Sequence, residues 1–184
     1  MKGARRLGLY VGGAQHAAKH IRQYEAAKKD MPVAVAIGVD PTIVLASISK
    51  FPYGTDELCV AGGLRGEPVP MVPCETVDLE VPANAEIVLE GFMRSGHREQ
   101  EGPFGEFSGY MSPGGQQPVI ELTCVTRRRA PIYHSFLSQM PRANRVASAA
   151  WAAPPRCITI CATSSVYRSA TFTSRKAAAP AAFW

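Results

Sequence analysis

The chain has 184 residues, of which 46% are hydrophobic and 19% charged, with a formal net charge of +5. This composition suits the core of one globular domain or of a piece of a larger protein. No apolar run is long enough to cross a membrane and the N-terminus lacks a signal peptide, so we expect a cytoplasmic location. Five cysteines without a paired short spacing argue against a disulfide framework and a zinc site. The basic residues accompany no nucleic-acid-binding motif, so we expect no nucleic-acid partner.

The first part of the chain predicts helices around one strand. The run "AAKHIRQYEAAKKD" is rich in good helix formers, and the β-branched run "MPVAVAIG" is typical of a buried strand. A second helix is expected in "DPTIVLASIS", because Asp40 is a natural N-cap and Pro41 a natural first-turn residue.

A third short helix is predicted in "GTDELCVAGGLRG". Thr55 is its expected cap, while Asp56 caps or braces the helix. The pair Gly62-Gly63 is expected to end it, because glycine readily adopts the backbone angles of a helix terminus.

The following part predicts strands punctuated by turns. Short helices followed by an antiparallel, barrel-like set of strands predict an α+β fold. The extended segments are "EPVPMVPCETVDLEVP", "AEIVLEGFM", "GEFSGYM", and a hairpin of "QPVIELTCVTRRR" with "PIYHSFLS" around Arg129-Ala130-Pro131.

Charged residues on or beside these strands predict a solvated surface. Glu80, Glu86 and Glu90 are expected to face solvent or the rim of the barrel. Arg127 to Arg129 are expected to form a solvated turn.

The stretch "REQEGPFGEFSGYM" places two carboxylates on a rigid turn. Glu101 and Glu106 bracket Gly-Pro-Phe-Gly, in which the proline fixes φ and the glycines permit backbone angles closed to other residues. The two acids are either surface charges on a solvated loop or a pair whose separation the turn fixes. The turn alone leaves both interpretations open.

Several long motifs between about Gly8 and Pro141 occur in an order that closely resembles the UbiD family of decarboxylases. The resemblance implies a partial domain over residues 1–141 with a split β-barrel, flavin-reductase-like fold. It implies prenylated FMN as cofactor, with a divalent metal, usually Mn²⁺, and K⁺ bridging its phosphate. It also implies reversible removal of carbon dioxide from aromatic or α,β-unsaturated acids, by longer enzymes that form homo-oligomers. The motifs are "MPVAVAIGVDPTIVLASIS", "DELCVAGGLRGEPV", "DLEVPANAEIVLEG", "EGPFGEFSGYM" and "APIYHSFL".

The resemblance also implies which acids are catalytic. The family's two catalytic carboxylates fall on Glu101 and Glu106, with Glu106 as the proton donor and Glu101 in the supporting charge network. Two neighbouring carboxylates beside a desolvated face have their pKa values pushed apart or upward, so one can stay protonated near neutral pH. That acid can deliver the proton that replaces carbon dioxide.

The family's metal ligands fall on Glu57, in "DEL", and on His16, in "QHAAKH". His20 lies one helical turn from His16, and such a pair can chelate a metal. Because only His16 falls on the motif, we take His16 as the ligand and His20 as its neighbour. His97 and His134 are expected to be structural, and no residue is assigned to the flavin itself.

The chain departs from the family at both ends. The family's Asn metal ligand and catalytic Arg lie upstream of "MKGARRLG", and no residue of this chain takes either role, so we expect the isolated chain to be impaired. Residues 142–184 contain no Asp, Glu or Gly and predict a disordered tail. A shifted reading frame from Arg142 onward, allowed by synonymous codons, looks like a family continuation, so we hypothesise that this tail is out-of-frame.

Three functions remain open on these grounds. The chain is a fragment of a prenyl-flavin decarboxylase, a non-catalytic flavin- or phosphate-binding module, or a basic nucleic-acid-binding protein. The ordered motifs favour the first over the third. Binding of flavin and Mn²⁺, and turnover of an acid, distinguish the first from the second.

Overall fold

The computed structural model describes residues 3–13, 15–105 and 110–135. Both helices and antiparallel sheets are present in these residues, as predicted, and β1 is a strand that the sequence did not indicate. The helices are α1 (His16–Ala26), α2 (Pro41–Ile48) and α3 (Glu57–Arg65). The strands are β1 (Arg6–Gly8), β2 (Met31–Ile37), β3 (Met71–Pro73), β4 (Glu80–Pro82), β5 (Ile87–Glu101), β6 (Phe104–Gly105), β7 (Met111–Ser112) and β8 (Gly115–Arg127).

The main sheet has four strands in the order β1-β8-β5-β2, and all neighbours are antiparallel. Its centre is the long pair β5–β8, which runs from Ile87 opposite Arg127 to Glu101 opposite Gly115. The strands β3 and β4 form one two-stranded sheet, and β6 and β7 form another. These pairings among the described residues do not include a closed barrel, so the split-barrel assignment stays a prediction.

Gly91 allows the two central strands to approach each other closely. A Cβ atom at this position would lie 2.1 Å from the carbonyl oxygen of Glu121 on β8. The register of β5 against β8 shifts at the same point, between Glu90 and Gly91. The sheet therefore requires a residue without a side chain where its central pair is irregular.

The apolar core of the described residues has two parts. In the first, which we call the sheet core, α1 packs on the main sheet. In the second, the helical core, α2 and α3 pack against each other. The sheet core contains Ile21, Met31, Val33, Met93 and Ile120, and the helical core contains Ile43, Ala46, Phe51, Val60 and Ala61.

The predicted start of α2 is confirmed. The helix begins at Pro41, and the Asp40 side chain accepts a hydrogen bond from the backbone N–H of Thr42 at 2.8 Å. Hydrogen bonds from the Thr42 hydroxyl and backbone hold the pKa of Asp40 below its usual range.

Of the predicted limits of α3, the cap at Asp56 is confirmed, whereas the cap at Thr55 and the end at Gly62-Gly63 are wrong. Asp56, not Thr55, is the N-cap, and its carboxylate accepts hydrogen bonds from two backbone N–H groups of the first turn. The helix continues through Gly62 and Gly63 and ends at Arg65, and its C-cap is Gly66, whose φ is +82°. The later glycine is the one in the left-handed conformation that a helix C-cap favours.

The predicted hairpin after β8 is also wrong where the structure describes it. Strand β8 ends at Arg127, and residues 131–135 form no strand. Instead, the backbone N–H of Ile132 donates a hydrogen bond to Oε2 of Glu86 at 3.2 Å. Glu86 also pairs with Arg128 at 3.5 Å, so this carboxylate contacts the segment after β8 at two residues.

Glu90 is buried, contrary to the prediction of a solvent-facing or rim charge. Only 1% of it is exposed. Its carboxylate accepts hydrogen bonds from the backbone N–H groups of Glu75 and Thr76, at 3.1 and 2.7 Å, and from the Thr76 hydroxyl at 2.8 Å. Burial opposes ionisation, but these hydrogen bonds outweigh it and hold the pKa of Glu90 below its usual value. Glu90 therefore fastens the β3–β4 connection to the main sheet.

The remaining expectations concern surface charges, membrane spans, cysteines and the C-terminal tail. Glu80 and Arg127 to Arg129 are exposed, as predicted. No helix within the described residues is long and apolar enough to span a membrane. Cys59, Cys74 and Cys124 form no disulfide. The tail predicted from residue 142 onward lies outside the described residues.

Candidate functional site

His16 and Glu57 each stand at the start of a helix. His16 is the first residue of α1, and Glu57 is the first residue of α3. Their side chains meet, with 3.9 Å between Nδ1 of His16 and Oε1 of Glu57. The side chains are 39% and 29% exposed, so an ion can reach both. The expected proximity of these two residues is observed, while their role as metal ligands stays a prediction.

The separation of the His16–Glu57 pair permits a shared divalent cation. Two ligand atoms that each lie roughly 2.0–2.2 Å from one ion are at most about 4.4 Å apart. The observed separation of 3.9 Å is below this limit. Within residues 3–13, 15–105 and 110–135, the pair does not belong to a cluster of three or more His, Cys, Asp or Glu side chains suited to a metal. The pair therefore offers two protein ligands among the described residues, and a bound ion would need further ligands such as oxygen atoms of a phosphate or of water.

Tyr53, in the loop between α2 and α3, lies against the same face of α1. Its ring is perpendicular to that of His16, with 5.4 Å between centroids and an interplanar angle of 86°. It also contacts the ring of His20 at 5.7 Å, and Nζ of Lys19 lies 3.9 Å from its centroid. Sequence reasoning missed Tyr53, because no spacing rule links a loop tyrosine to a distant helix.

His20 is buried behind this surface, with 7% of it exposed. Burial, and to a lesser degree the neighbouring His16, lowers the pKa of His20. Among the described residues, the buried Nδ1 atom of His20 has no hydrogen-bond partner. A neutral imidazole at this position adds no positive charge beside the candidate cation site.

The segment from Glu101 to Glu106, which we call the acid turn, begins at the end of β5. Glu101 is the last residue of β5, opposite Gly115, and its Oε2 atom is buried. Gly102 has a φ of +74°, and a Cβ atom there would lie 3.2 Å from Cα of Gly114, so glycine suits this turn. Glu106, the predicted proton donor, lies outside the described residues. The structure therefore locates one of the two predicted acids.

Phe104, in the middle of the acid turn, packs against Tyr10, which lies two residues after the end of β1. The ring of Tyr10 contacts that of Phe104 with 5.0 Å between centroids and an interplanar angle of 78°. Phe104 also pairs with Ser112 in the β6–β7 ladder. Tyr10 was not singled out from the sequence, and it braces the turn from outside the local segment.

The other predicted structural histidines are on the periphery. His97 Nε2 lies 3.1 Å from Oε1 of Glu99, which also pairs with Arg6 at 2.5 Å. This charge cluster joins β1 to β5 and agrees with a structural role for His97. His134 is exposed beyond the end of β8.

Comparisons with known proteins identify clear relatives of the chain. The sequence model of the UbiD family, described as 3-octaprenyl-4-hydroxybenzoate carboxy-lyase Rift-related domain, matches residues 1–141. The phenolic acid decarboxylase of Bacillus subtilis (strain 168) is 40% identical over 141 residues, which are 77% of this chain and 30% of that protein. The chain thus spans about 30% of the length of such curated relatives.

Solved structures give the same relationship. The UbiD-class enzyme HmfF from Pelotomaculum thermopropionicum, in an evolved dimeric form in complex with prFMN, has a TM-score of 0.72 and 43% identity, over 79% of this chain and 33% of that chain. The vanillic acid decarboxylase of Sedimentibacter hydroxybenzoicus, in closed form, has a TM-score of 0.70 and 32% identity, over 72% of this chain and 28% of that chain. With the family's model matched over residues 1–141, the chain belongs to the UbiD family.

Proposed function

We propose that the chain is part of a UbiD-type decarboxylase that removes carbon dioxide from an aromatic or α,β-unsaturated acid with the help of prenylated FMN. The observation that carries the proposal is the convergence of His16 and Glu57 from two helices to 3.9 Å. The relatives named above support it, since two are decarboxylases of phenolic acids or vanillic acid and one is in complex with prFMN. The finer fold assignment, a split barrel that seats the flavin, belongs to the same proposal.

In this proposal, His16 and Glu57 would hold Mn²⁺ or a similar divalent ion, which together with K⁺ would supply positive charge for binding the flavin phosphate. A carboxylate oxygen and an imidazole nitrogen are both ligands that Mn²⁺ accepts. When bound, prenylated FMN supplies the electron-accepting ring that stabilises the charge left after loss of carbon dioxide. The chain's own residues orient that cofactor and deliver the proton.

The proton role falls to the acid turn. Glu106 delivers the proton that takes the place of carbon dioxide, and Glu101 keeps a second carboxylate beside it. The position of Glu101 at the end of the long β5–β8 pair supports this role, because a paired strand end holds a side chain more rigidly than a free loop. The glycines and the proline between the two acids then fix their separation.

A flavin- or phosphate-binding module without turnover is the second candidate. It shares the cation site at His16 and Glu57 with the first candidate and assigns no proton transfer to the acids. Both candidates require the His16–Glu57 pair to bind a metal, and they differ in whether the acids act.

The test is to mix the purified chain with prenylated FMN, Mn²⁺, K⁺ and a panel of aromatic and acrylic acids. Bound flavin is followed by its absorbance and carbon dioxide release is measured separately. Flavin retention that needs Mn²⁺ and is lost in Glu57→Gln supports the metal role. Turnover that disappears in Glu106→Gln supports the decarboxylase, whereas retention without turnover supports the module. Flavin retention that is identical with and without Mn²⁺ would contradict the proposal.

A further inference from the structure

Tyr53 contacts four side chains that share one face of α1, three through its ring and one through its hydroxyl. It contacts the rings of His16 and His20, and Nζ of Lys19 lies 3.9 Å from its centroid. Its hydroxyl lies 3.5 Å from Nε2 of Gln23. The four residues follow the spacing of neighbouring turns of a helix, so a single loop residue spans most of one side of α1.

Tyr53 also belongs to the segment that carries the other half of the candidate metal pair. It lies in the α2–α3 loop, just upstream of Glu57, and Asp56 between them caps α3. The loop packs with the helical core, whereas α1 packs with the sheet core. The contact between Tyr53 and His16 therefore joins the two cores at the position where His16 and Glu57 must meet.

We propose that Tyr53 is a positioning residue for the His16–Glu57 pair. Its ring holds the imidazole of His16 perpendicular to its own plane and in the orientation that turns Nδ1 toward Glu57. This inference rests on the proposed function, since positioning matters here only if the pair binds a cation. Groups outside the direct ligands that fix the orientation of a ligating histidine strongly affect metal affinity.

Tyr53 lies at the surface of the described residues. It is 43% exposed, so it is not a member of either core. The contacts of Tyr53 depend mainly on its ring, because the hydrogen bond that its hydroxyl accepts from Nε2 of Gln23 is long, at 3.5 Å. Tyr53→Phe keeps the ring and removes the hydroxyl, and Tyr53→Leu removes the ring. The two variants therefore separate the ring contact from the hydroxyl.

The experiment is a titration of the full 184-residue chain with Mn²⁺ alone, followed by NMR of the histidine side chains. Bound Mn²⁺ broadens the signals of nearby nuclei, so weak binding is measurable without flavin or activity. The His16 signals are assigned with His16→Gln, and the exposed His134 reports non-specific broadening. The matched control is Tyr133→Leu, since Tyr133 is a tyrosine that is 72% exposed and lies beyond β8.

We expect His16 to broaden at lower Mn²⁺ than His134 in the wild-type chain. In Tyr53→Leu the midpoint for His16 should rise about tenfold, within the range of about 10–100-fold for loss of an outer-shell partner. Tyr53→Phe and Tyr133→Leu should keep the wild-type midpoint. Amide spectra of each variant confirm that it is folded.

Two results would overturn the inference, and they are distinguishable. An unchanged His16 midpoint in folded Tyr53→Leu, with selective broadening in the wild type, overturns the role of Tyr53 and leaves the metal pair standing. Equal broadening of His16 and His134 in the wild type overturns the metal pair and with it this inference. A midpoint raised equally in Tyr53→Phe would assign the effect to the hydroxyl rather than to the ring.

Discussion

The His16–Glu57 pair and the turn that follows Glu101 are built in opposite ways. His16 and Glu57 are far apart in the sequence and meet because two helices begin at the same place. Glu101 and Glu106 are close in the sequence, and a short rigid turn at the end of β5 separates them. The first site depends on how two cores are joined, and the second depends on one long strand pair. Damage to one core should therefore affect the two sites differently.

The largest expected effect comes from exchanging a carboxylate for an amide at each site. Glu57→Gln should weaken Mn²⁺ binding at His16 by more than about 100-fold, because loss of a direct ligand exceeds the effect of an outer partner. Glu101→Gln should leave the same binding unchanged. The NMR titration with Mn²⁺ measures both. Equal losses of Mn²⁺ affinity in the two variants would mean that the acid turn and the His16–Glu57 pair form one site and are not built separately.

The next effect concerns the strand pair that carries the acid turn. Gly91→Ala should destabilise the fold by about 1–3 kcal/mol, because the new Cβ would overlap the carbonyl of Glu121. Gly115→Ala is the matched control, since no atom lies within 4 Å of a Cβ there, and it should change stability by no more than about 0.5 kcal/mol. Urea denaturation gives both values. Similar changes in the free energy of unfolding for the two variants would show that β5 and β8 can move apart at Gly91 without loss of stability.

A smaller effect is expected where Tyr10 braces the acid turn. Tyr10→Leu removes an edge-to-face ring contact with Phe104, which is worth about 0.5–1.5 kcal/mol. Amide hydrogen exchange should become faster at Phe104 and Ser112 while that of α1 stays unchanged. Tyr133→Leu serves again as control. Faster exchange throughout α1 would indicate that Tyr10 supports the whole sheet core and not the turn.

The smallest effect is a change in the pH dependence of stability. The folded-state pKa of Glu90 is below its ordinary value. Its contribution is therefore fully present above the unfolded-state pKa of about 4.3 and is lost as the pH falls through the lower folded-state pKa. The free energy of unfolding, measured by denaturation at a series of pH values, should fall more steeply with decreasing pH in wild type than in Glu90→Gln. The difference should appear below the unfolded-state pKa of about 4.3. Glu80→Gln, at an exposed position, should keep the wild-type slope, and equal slopes in all three proteins would contradict the assignment.

Local signals in the sequence predicted the local structure well. The Asp40-Pro41 pair predicted the start of α2, because both residues act within one turn. The β-branched run predicted β2, and the ordered motifs predicted the family. Where two local signals competed, as between Thr55 and Asp56, the residue whose carboxylate accepts two hydrogen bonds is the cap.

Features that depend on distant contacts were not predictable in this way. Glu90 has the sequence neighbourhood of a surface acid, and only the fold brings the backbone of Glu75 and Thr76 to it. In residues 131–135, the described part of the expected second hairpin strand, no strand forms, and the backbone of Ile132 contacts Glu86 instead. The closeness of His16 and Glu57 followed from the family resemblance, whereas Tyr53 between the two elements had no local or family signal.

The division of the interior into a sheet core and a helical core has a thermodynamic consequence. His16 belongs to a helix of the first and Glu57 to a helix of the second. If each core opens as its own cooperative unit, a cation held by both residues links the two opening equilibria. At a cation concentration of 100 times Kd, this linkage adds about 2.7 kcal/mol to the free energy of separating them. Metal occupancy would then set whether the domain unfolds in one step or two.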